Sequence, residues 1–249
     1  MKKLAILTSG GDAPGMNAAI AAVAKTAASL NWVVFGVQDG YDGLIDGLFS
    51  PLEPADIDHL PREGGTELRS SRCSRFRSVD GRATAAKQLD TMDALVVIGG
   101  NGSITGANLL AKEHGVQVVC IPASIDNDIA CTSSSIGVDT ALNTITEACD
   151  RISDTARSHR RAFIVEVMGR HCGYLAMASA ISCMADAVLF REQGKTEEQL
   201  IAELRQVIRH AYSAQRNKRR VLIIKAEGIS VSTASLAAKL EETLQEDSG

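Results

Sequence analysis

The sequence predicts an α/β protein with mainly parallel sheets covered by helices on both faces. Three observations carry that expectation. Short apolar runs of strand length alternate with helical patterns along nearly the whole chain. Glycine-rich turns follow apolar runs, as at Gly10-Gly11 and Gly99-Gly100. The chain has 249 residues, 45% hydrophobic and 22% charged, enough for two modest domains or one large one and unlike a disordered polymer.

In chain order, residues 3–8 read as a short buried strand (Leu4, Ala5, Ile6, Leu7), and the alanine-rich stretch 15–30 reads as a helix. Further strands are expected at 32–37, 94–98, 117–121, 162–167, 187–190 and 220–225. Helical patterns lie between them at 83–92, 103–113, 140–158, 174–184, 196–209 and 233–244. The last carries Leu236, Ala237, Leu240 and Leu244 at helical spacing, an apolar stripe that needs a cover. The polar tail from Glu241 is expected to fray. No Pro- or Ser-rich linker marks a boundary, and the best divide falls at Ile136-Gly137, giving domains 1–137 and 138–249.

A net charge of −4 supplies no polycation for nucleic acid, and the one dense basic run, Arg216 to Arg220, reads as a solvated turn before a strand. The six cysteines form no C-x-x-C pair, and no apolar run approaches bilayer length, so neither zinc nor a membrane is expected. A cytoplasmic globular protein with reduced thiols is the simplest reading.

Chemistry is expected at the carboxyl ends of strands, where ligands of parallel sheets collect. Gly10-Gly11-Asp12-Ala13-Pro14-Gly15-Met16-Asn17 joins a strand to a helix. Adjacent glycines let a ligand approach the backbone, and a helix N-terminus suits an anion such as phosphate. Gly99-Gly100-Asn101-Gly102-Ser103 repeats the arrangement, with Ser103 read as the helix N-cap. Each loop alone is also ordinary turn chemistry; two at neighbouring strand ends can hold a polyphosphate. Ser124-Ile125-Asp126-Asn127-Asp128 follows another strand. Its i, i+2 carboxylates suit phosphoryl transfer, one accepting a hydroxyl proton and the other sitting near a metal, though the same residues also make good turns. Arg170, in Val167-Met168-Gly169-Arg170, can clamp a phosphate, with Arg72, Arg160 and Arg161 as further cations. Glu227 is another carboxylate at a strand end.

Taken in order from Leu4 to about Leu240, these strings resemble the phosphofructokinase family, as do Gly64-Gly65-Thr66 and Ser158-His159. The resemblance implies two α/β domains facing each other across a cleft, one for a nucleotide and one for a sugar phosphate. It implies phosphoryl transfer from ATP to the 1-hydroxyl of fructose 6-phosphate, with magnesium, in glycolysis. Gly11, Arg72, Cys73, Gly100, Asn101, Gly102 and Ser103 would line the nucleotide phosphates, and Tyr41 would lie near the adenosine. Asp126 would be the base, flanked by Ser124, Ile125 and Asp128, with Asp128 close to the metal. Met168, Gly169, Arg170 and Glu227 would meet the sugar phosphate. Arg161 would reach a neighbouring subunit's substrate, so a homo-oligomer through the second domain is implied.

Three departures qualify the resemblance. Asn101 stands where the family has a metal-binding Asp, keeping an acceptor oxygen but losing charge. Ala21, Lys25 and Ser153 stand where bacterial members usually carry effector-binding arginines. The family continues beyond the position matching Gly249, so an incomplete second domain, marginal stability and weak activity are expected. A pyrophosphate-dependent member is the enzyme alternative; Gly102 and Ala123 replace the Asp and bring no Lys of the kind usual in that branch. A non-catalytic regulatory subunit is the alternative outside enzymology.

Overall fold

The computed structural model describes residues 1–246. They form two compact units, 1–125 with 129–138, and 126–128 with 139–246. No helix among the described residues is long and apolar enough to cross a membrane.

The first unit holds a five-stranded sheet. In chain order its elements are β1 (Lys3–Ser9), α1 (Met16–Ser29), β2 (Val33–Val37), α2 (Gly40–Asp46), β3 (Phe49–Pro51), α3 (Val79–Gln88), β4 (Ala94–Gly99), α4 (Asn101–His114) and β5 (Val118–Pro122). The strand order is β3-β2-β1-β4-β5, parallel except for the antiparallel edge strand β3. Alternation along β1 explains the layering. Leu4 and Ile6 face α1, where they join Met16, Ile20 and Ala24; Ala5 and Leu7 face the opposite side, where Leu44, Ala85 and Leu110 come from α2, α3 and α4. Both faces are covered, as the continuous apolar strands require.

The second unit contains α5 (Val138–His159), β6 (Ala162–Val167), α6 (Tyr174–Ser182), β7 (Ala187–Leu189), α7 (Glu197–Tyr212), β8 (Val221–Ala226) and α8 (Thr233–Glu246). Its three parallel strands run β6-β8-β7. One face packs on α7 and α8 through Leu200, Leu204, Ile223, Leu236 and Leu240. The other packs on α5 and α6 through Cys149, Val167, Ala176 and Ile224. The stripe on the last helix finds the cover it needs on α7, with Leu236 fully buried. The helix also runs on through Glu246, where fraying from Glu241 was expected; residues 247–249 lie outside the described residues.

Three local differences from the sequence reading have physical causes. Helix α3 starts four residues before the expected position, because Ser78 caps it by accepting the Gly81 N–H at 3.0 Å. Helix α2 escapes the sequence signal because Gly40 and Gly43 depress its helix propensity; a Cβ at Gly43 would lie 1.7 Å from the Gln38 carbonyl oxygen, so close packing requires the glycine. The basic run is not simply solvated. Lys218 pairs with Asp186, and Arg220 donates to Ser153 Oγ at 2.6 Å and to the Cys183 and Met184 carbonyls, tying α5 to the end of α6.

Between β3 and α3 the chain makes a long irregular connection, and Asn17 on α1 anchors its middle. Asn17 is buried; its amide donates to the Glu63 and Gly64 carbonyls at 3.2 Å, and its oxygen accepts the Glu67 N–H at 2.7 Å. Removing all three bonds leaves buried groups unpaired. Asn17→Ala should lower unfolding stability by about 1–3 kcal/mol, measured by urea denaturation, with the same slope in denaturant as the parent protein.

Candidate active site

Strand β1 lies between β2 and β4, so the chain leaves β1 toward one side and later returns on the other. That reversal is a topological switch point, and crevices outside the carboxyl ends of such strands take ligands. Both glycine loops emerge there. Ser9 is paired with Gly99 in the β1/β4 register, which puts the Gly10-Gly11 and Gly100 turns side by side. Ser103 Oγ donates to the Ser9 carbonyl at 2.9 Å and fastens one loop to the other.

Helices α1 and α4 both begin at these loops, with Gly15 and Gly100 as N-caps. Neither has a side-chain cap, and neither has an acidic residue in its first turn. The positive dipole ends of both helices therefore face these loops and suit an anion, although the Met16 N–H at the start of α1 already donates to the Ala13 carbonyl at 3.2 Å. Ser103 lies inside α4 and is buried, so it is not the N-cap expected from sequence: its hydroxyl is spent on β1. Glycine is required by neither packing nor backbone at Gly11 and Gly102, since a Cβ at either would meet nothing within 4 Å. At Gly100 a Cβ would make only ordinary contacts. Asn101 opens α4 and is exposed.

The connection before α3 contributes Arg72 and Cys73. It is held to the first loop by Ser70 Oγ, which donates to the Gly10 carbonyl at 2.7 Å, and by Thr8 Oγ1, which donates to the Arg69 carbonyl at 2.7 Å. Arg72 is exposed. The Cys73 thiol turns to Asp42 Oδ1 at 2.9 Å, and burial, with that bond second, pushes its pKa up. Tyr41 differs from the sequence expectation of a nucleotide contact. It is only 4% exposed, its ring stacks on Phe76 at 3.8 Å, and its hydroxyl donates to the Ser103 carbonyl at 2.7 Å. In this arrangement Tyr41 supports α4 from within the core. Ser124 and Ile125 follow β5 and are half-buried, with the Ser124 carbonyl accepting from Ser135 Oγ at 2.7 Å.

In the second unit, β6 and β8 end together. Gly228 permits this, because a Cβ there would lie 2.4 Å from the Arg170 carbonyl oxygen. The Glu227 N–H donates to the Val167 carbonyl at 2.9 Å, so Glu227 leaves β8 beside the Met168-Gly169-Arg170 turn. Gly169 has φ 122, and a Cβ would meet the Cys172 carbonyl oxygen at 2.5 Å, so this glycine is structural. Met168, Arg170 and Glu227 are exposed. Burial first, then the Asp128 and Glu227 carboxylates, push the Asp126 carboxyl above the ordinary carboxylate range, while His171 pulls it back. The structure thus gathers Asp126, Asp128, Glu227 and His171 into one electrostatic neighbourhood.

Arg161 does not join it. It precedes β6, whose six residues separate it from Met168 by about 20 Å of extended strand. Arg160, read from sequence as a further cation for substrate, instead donates to Asn217 at 3.2 Å and lies over the Tyr212 ring. Among the positions matched to effector arginines, Ala21 is buried, Lys25 pairs with Asp58, and Ser153 is buried and bound to Arg220. Sequence reasoning missed Asn17, Asp42, Ser70 and His171. Asn17 and Ser70 lay within strings that stood out, whereas Asp42 and His171 act through contacts between distant segments.

No group of three or more His, Cys, Asp or Glu side chains able to hold a metal occurs among the described residues. A magnesium ion held mainly by phosphates needs only one or two protein carboxylates; Asp128 in the second unit carries a carboxylate and Asn101 in the first an amide oxygen, each a hard donor of the right class.

Glycines that the fold does not require make the nucleotide assignment testable. Gly11→Ala should leave thermal stability within about 1 °C while raising the half-saturating ATP concentration on the order of tenfold. Calorimetric unfolding and ATP titration of the same preparation measure both.

The family model described as phosphofructokinase matches residues 3–249. The chain is 49% identical over 243 residues to an ATP-dependent 6-phosphofructokinase of Thermotoga neapolitana, covering 97% of this chain and 74% of that one. Phosphofructokinase from Saccharomyces cerevisiae superposes with a TM-score of 0.89 at 37% identity, over 97% of this chain and 36% of the yeast chain. A pyrophosphate-dependent phosphofructokinase from Marinobacter aquaeolei shares the fold at a TM-score of 0.83 and 22% identity, over 98% of this chain and 66% of that one. Strand-end glycine loops, the Asp126 neighbourhood and these matches agree, and the chain belongs to the phosphofructokinase family.

Proposed function

We propose that this chain acts as an ATP-dependent 6-phosphofructokinase, a glycolytic kinase that moves the γ-phosphoryl group of ATP to the 1-hydroxyl of fructose 6-phosphate. The products are fructose 1,6-bisphosphate and ADP. The observation that carries the reading is Asp126, a half-buried carboxylate made more basic by burial and by two neighbouring carboxylates. A pure binding module has no need of such a group; a kinase needs one to take the hydroxyl proton as the oxygen attacks phosphorus.

The rest of the machinery is positioning and charge. The starts of α1 and α4, with their positive dipole ends, receive phosphate oxygens, with Gly11 and Gly102 leaving the approach open. Arg170 supplies a guanidinium for the sugar phosphate or for charge developing on the transferring group. Met168, Gly169 and Glu227 complete the sugar-phosphate wall. Magnesium, held by Asp128 and Asn101, would neutralise phosphate charge. The vacant space at Gly102 and the small side chain at Ala123 favour ATP over pyrophosphate as donor. Arg161, a strand's length from Arg170, fits a role toward a neighbouring subunit's substrate, so the working form is read as a homo-oligomer.

A coupled assay supplied first with ATP and then with pyrophosphate tests the reading; turnover only with pyrophosphate would overturn the choice of donor. Asp126→Ala should cut kcat on the order of 10²–10⁴-fold while ATP binding stays near normal. Because the base must be ionised, the parent's rate should fall on acidification at a pH above the ordinary carboxylate range. Asp128→Asn should move that limb to lower pH by removing a negative neighbour, as a pH–rate profile would record.

The magnesium assignment has its own test. Asn101→Asp restores an anionic oxygen and should lower the magnesium concentration for half-maximal activity. A magnesium titration at fixed ATP measures it.

A further inference from the structure

Residues 71–75 form no regular structure until the helical turn at Arg75–Arg77, yet they are held firmly in place. One carboxylate on α2 accounts for this. Asp42 accepts from Cys73 Sγ at 2.9 Å, from Ser71 Oγ at 3.2 Å and from Arg75 Nε at 2.9 Å. Arg75 then spans to Asp46, with Nη1 and Nη2 each 2.8 Å from a carboxylate oxygen. The single Ser71 hydroxyl hydrogen is shared with the Asp39 carbonyl, the shorter contact at 2.8 Å. Residues 71, 73 and 75 are thereby fixed to α2, and Arg72, between two of them, has no hydrogen-bond or ion-pair partner among the described residues. An exposed cation between two anchored neighbours is pre-organised for an anion brought from outside.

We propose that Asp42 is a positioning residue for nucleotide binding: its carboxylate locks Ser71, Cys73 and Arg75 so that Arg72 is presented to the phosphates of ATP. This rests on the kinase reading of the loop. The physical basis is pre-organisation, since a segment already ordered does not lose that conformational freedom when ligand arrives. The hydrogen bonds to a charged acceptor are of the stronger kind, and three converge on one group. Asp42 itself need not touch the nucleotide.

The test compares Asp42→Ala, Asp42→Asn and Arg75→Gln with the parent in steady-state kinetics and thermal unfolding. Asp42→Ala should raise the KM for ATP on the order of tenfold. The KM for fructose 6-phosphate, kcat at saturating ATP and Tm should stay near parental values. Asp42→Asn keeps one acceptor oxygen, enough for Cys73 or Ser71 but not both, and should recover part of the loss; Arg75→Gln should move ATP KM in the same direction. An unchanged ATP KM overturns the proposal. So does an equal rise in both KM values with a fallen Tm, which would mark a general structural role. Should Asp42→Ala fail to fold, the other two variants decide on the same criterion.

If the parent neither turns over nor binds ATP, the kinase reading fails by itself. Anchoring is then read from the rate at which N-ethylmaleimide alkylates Cys73, followed by peptide mass spectrometry. Faster alkylation in Arg75→Gln than in the parent, against the loss of a cation that favours the thiolate, supports the anchor, and a rate no faster than the parent's overturns it.

Discussion

Parallel pairing of β1 with β4 is the constraint on which the first unit depends. Six residue pairs, Leu4 with Ala94 through Ser9 with Gly99, bring two segments some ninety residues apart into register. Strand ends, and so the loops that follow them, can then coincide only at one place on the sheet. A register slip by one residue would turn Leu4 and Ile6 away from α1 and bury the wrong set, so the hydrophobic pattern fixes the loops as firmly as it fixes the core. Tyr41, Ser103 and Ser70 work within that constraint. Each donates a hydroxyl hydrogen to a backbone carbonyl at or beside the loops, at Ser103, Ser9 and Gly10 respectively.

The second unit meets a comparable demand with charge. Lys225 on β8 is 1% exposed and donates to Glu166 on β6 at 2.8 Å, directly across the pairing. Glu166 also accepts from Thr233 at the start of α8, and these bonds, with Lys225 first, hold its pKa below the ordinary carboxylate range. Leaving Lys225 buried without that partner would be costly, so the pair enforces the β6/β8 register two residues before Glu227 and four before Arg170. The buried Lys thus sits close in sequence to the chemistry without belonging to it.

Much of this was legible in the sequence because apolar runs and glycine turns report on local geometry. Strands 3–8, 94–98 and 162–167 lie where the runs predicted, and the expected motifs fall at strand ends. What escaped the sequence depends on contacts between distant segments. Helix α2 exists despite two glycines because the fold closes on Gly43. Arg220 serves Ser153 rather than solvent, and the covering of Leu236 by α7 follows from the order of strands β6, β8 and β7, which no local pattern encodes. Ser103 illustrates both sides: its position beside a helix start was evident, while its bond to Ser9 required knowing which strand lay next door.

The glycines of the molecule fall into two populations with different histories ahead of them. At Gly43, Gly81 and Gly99 an added carbon would lie 2.5 Å or less from a carbonyl oxygen, so selection for folding alone would preserve them. At Gly11 and Gly102 it would meet no protein atom within 4 Å. A gene copy released from its metabolic duty would therefore be free to change at these positions, as at Gly64, and still encode a well-folded protein. In a lineage of duplicated copies, the loss of the second population while the first persists would date the retirement of the enzyme separately from the decay of its fold.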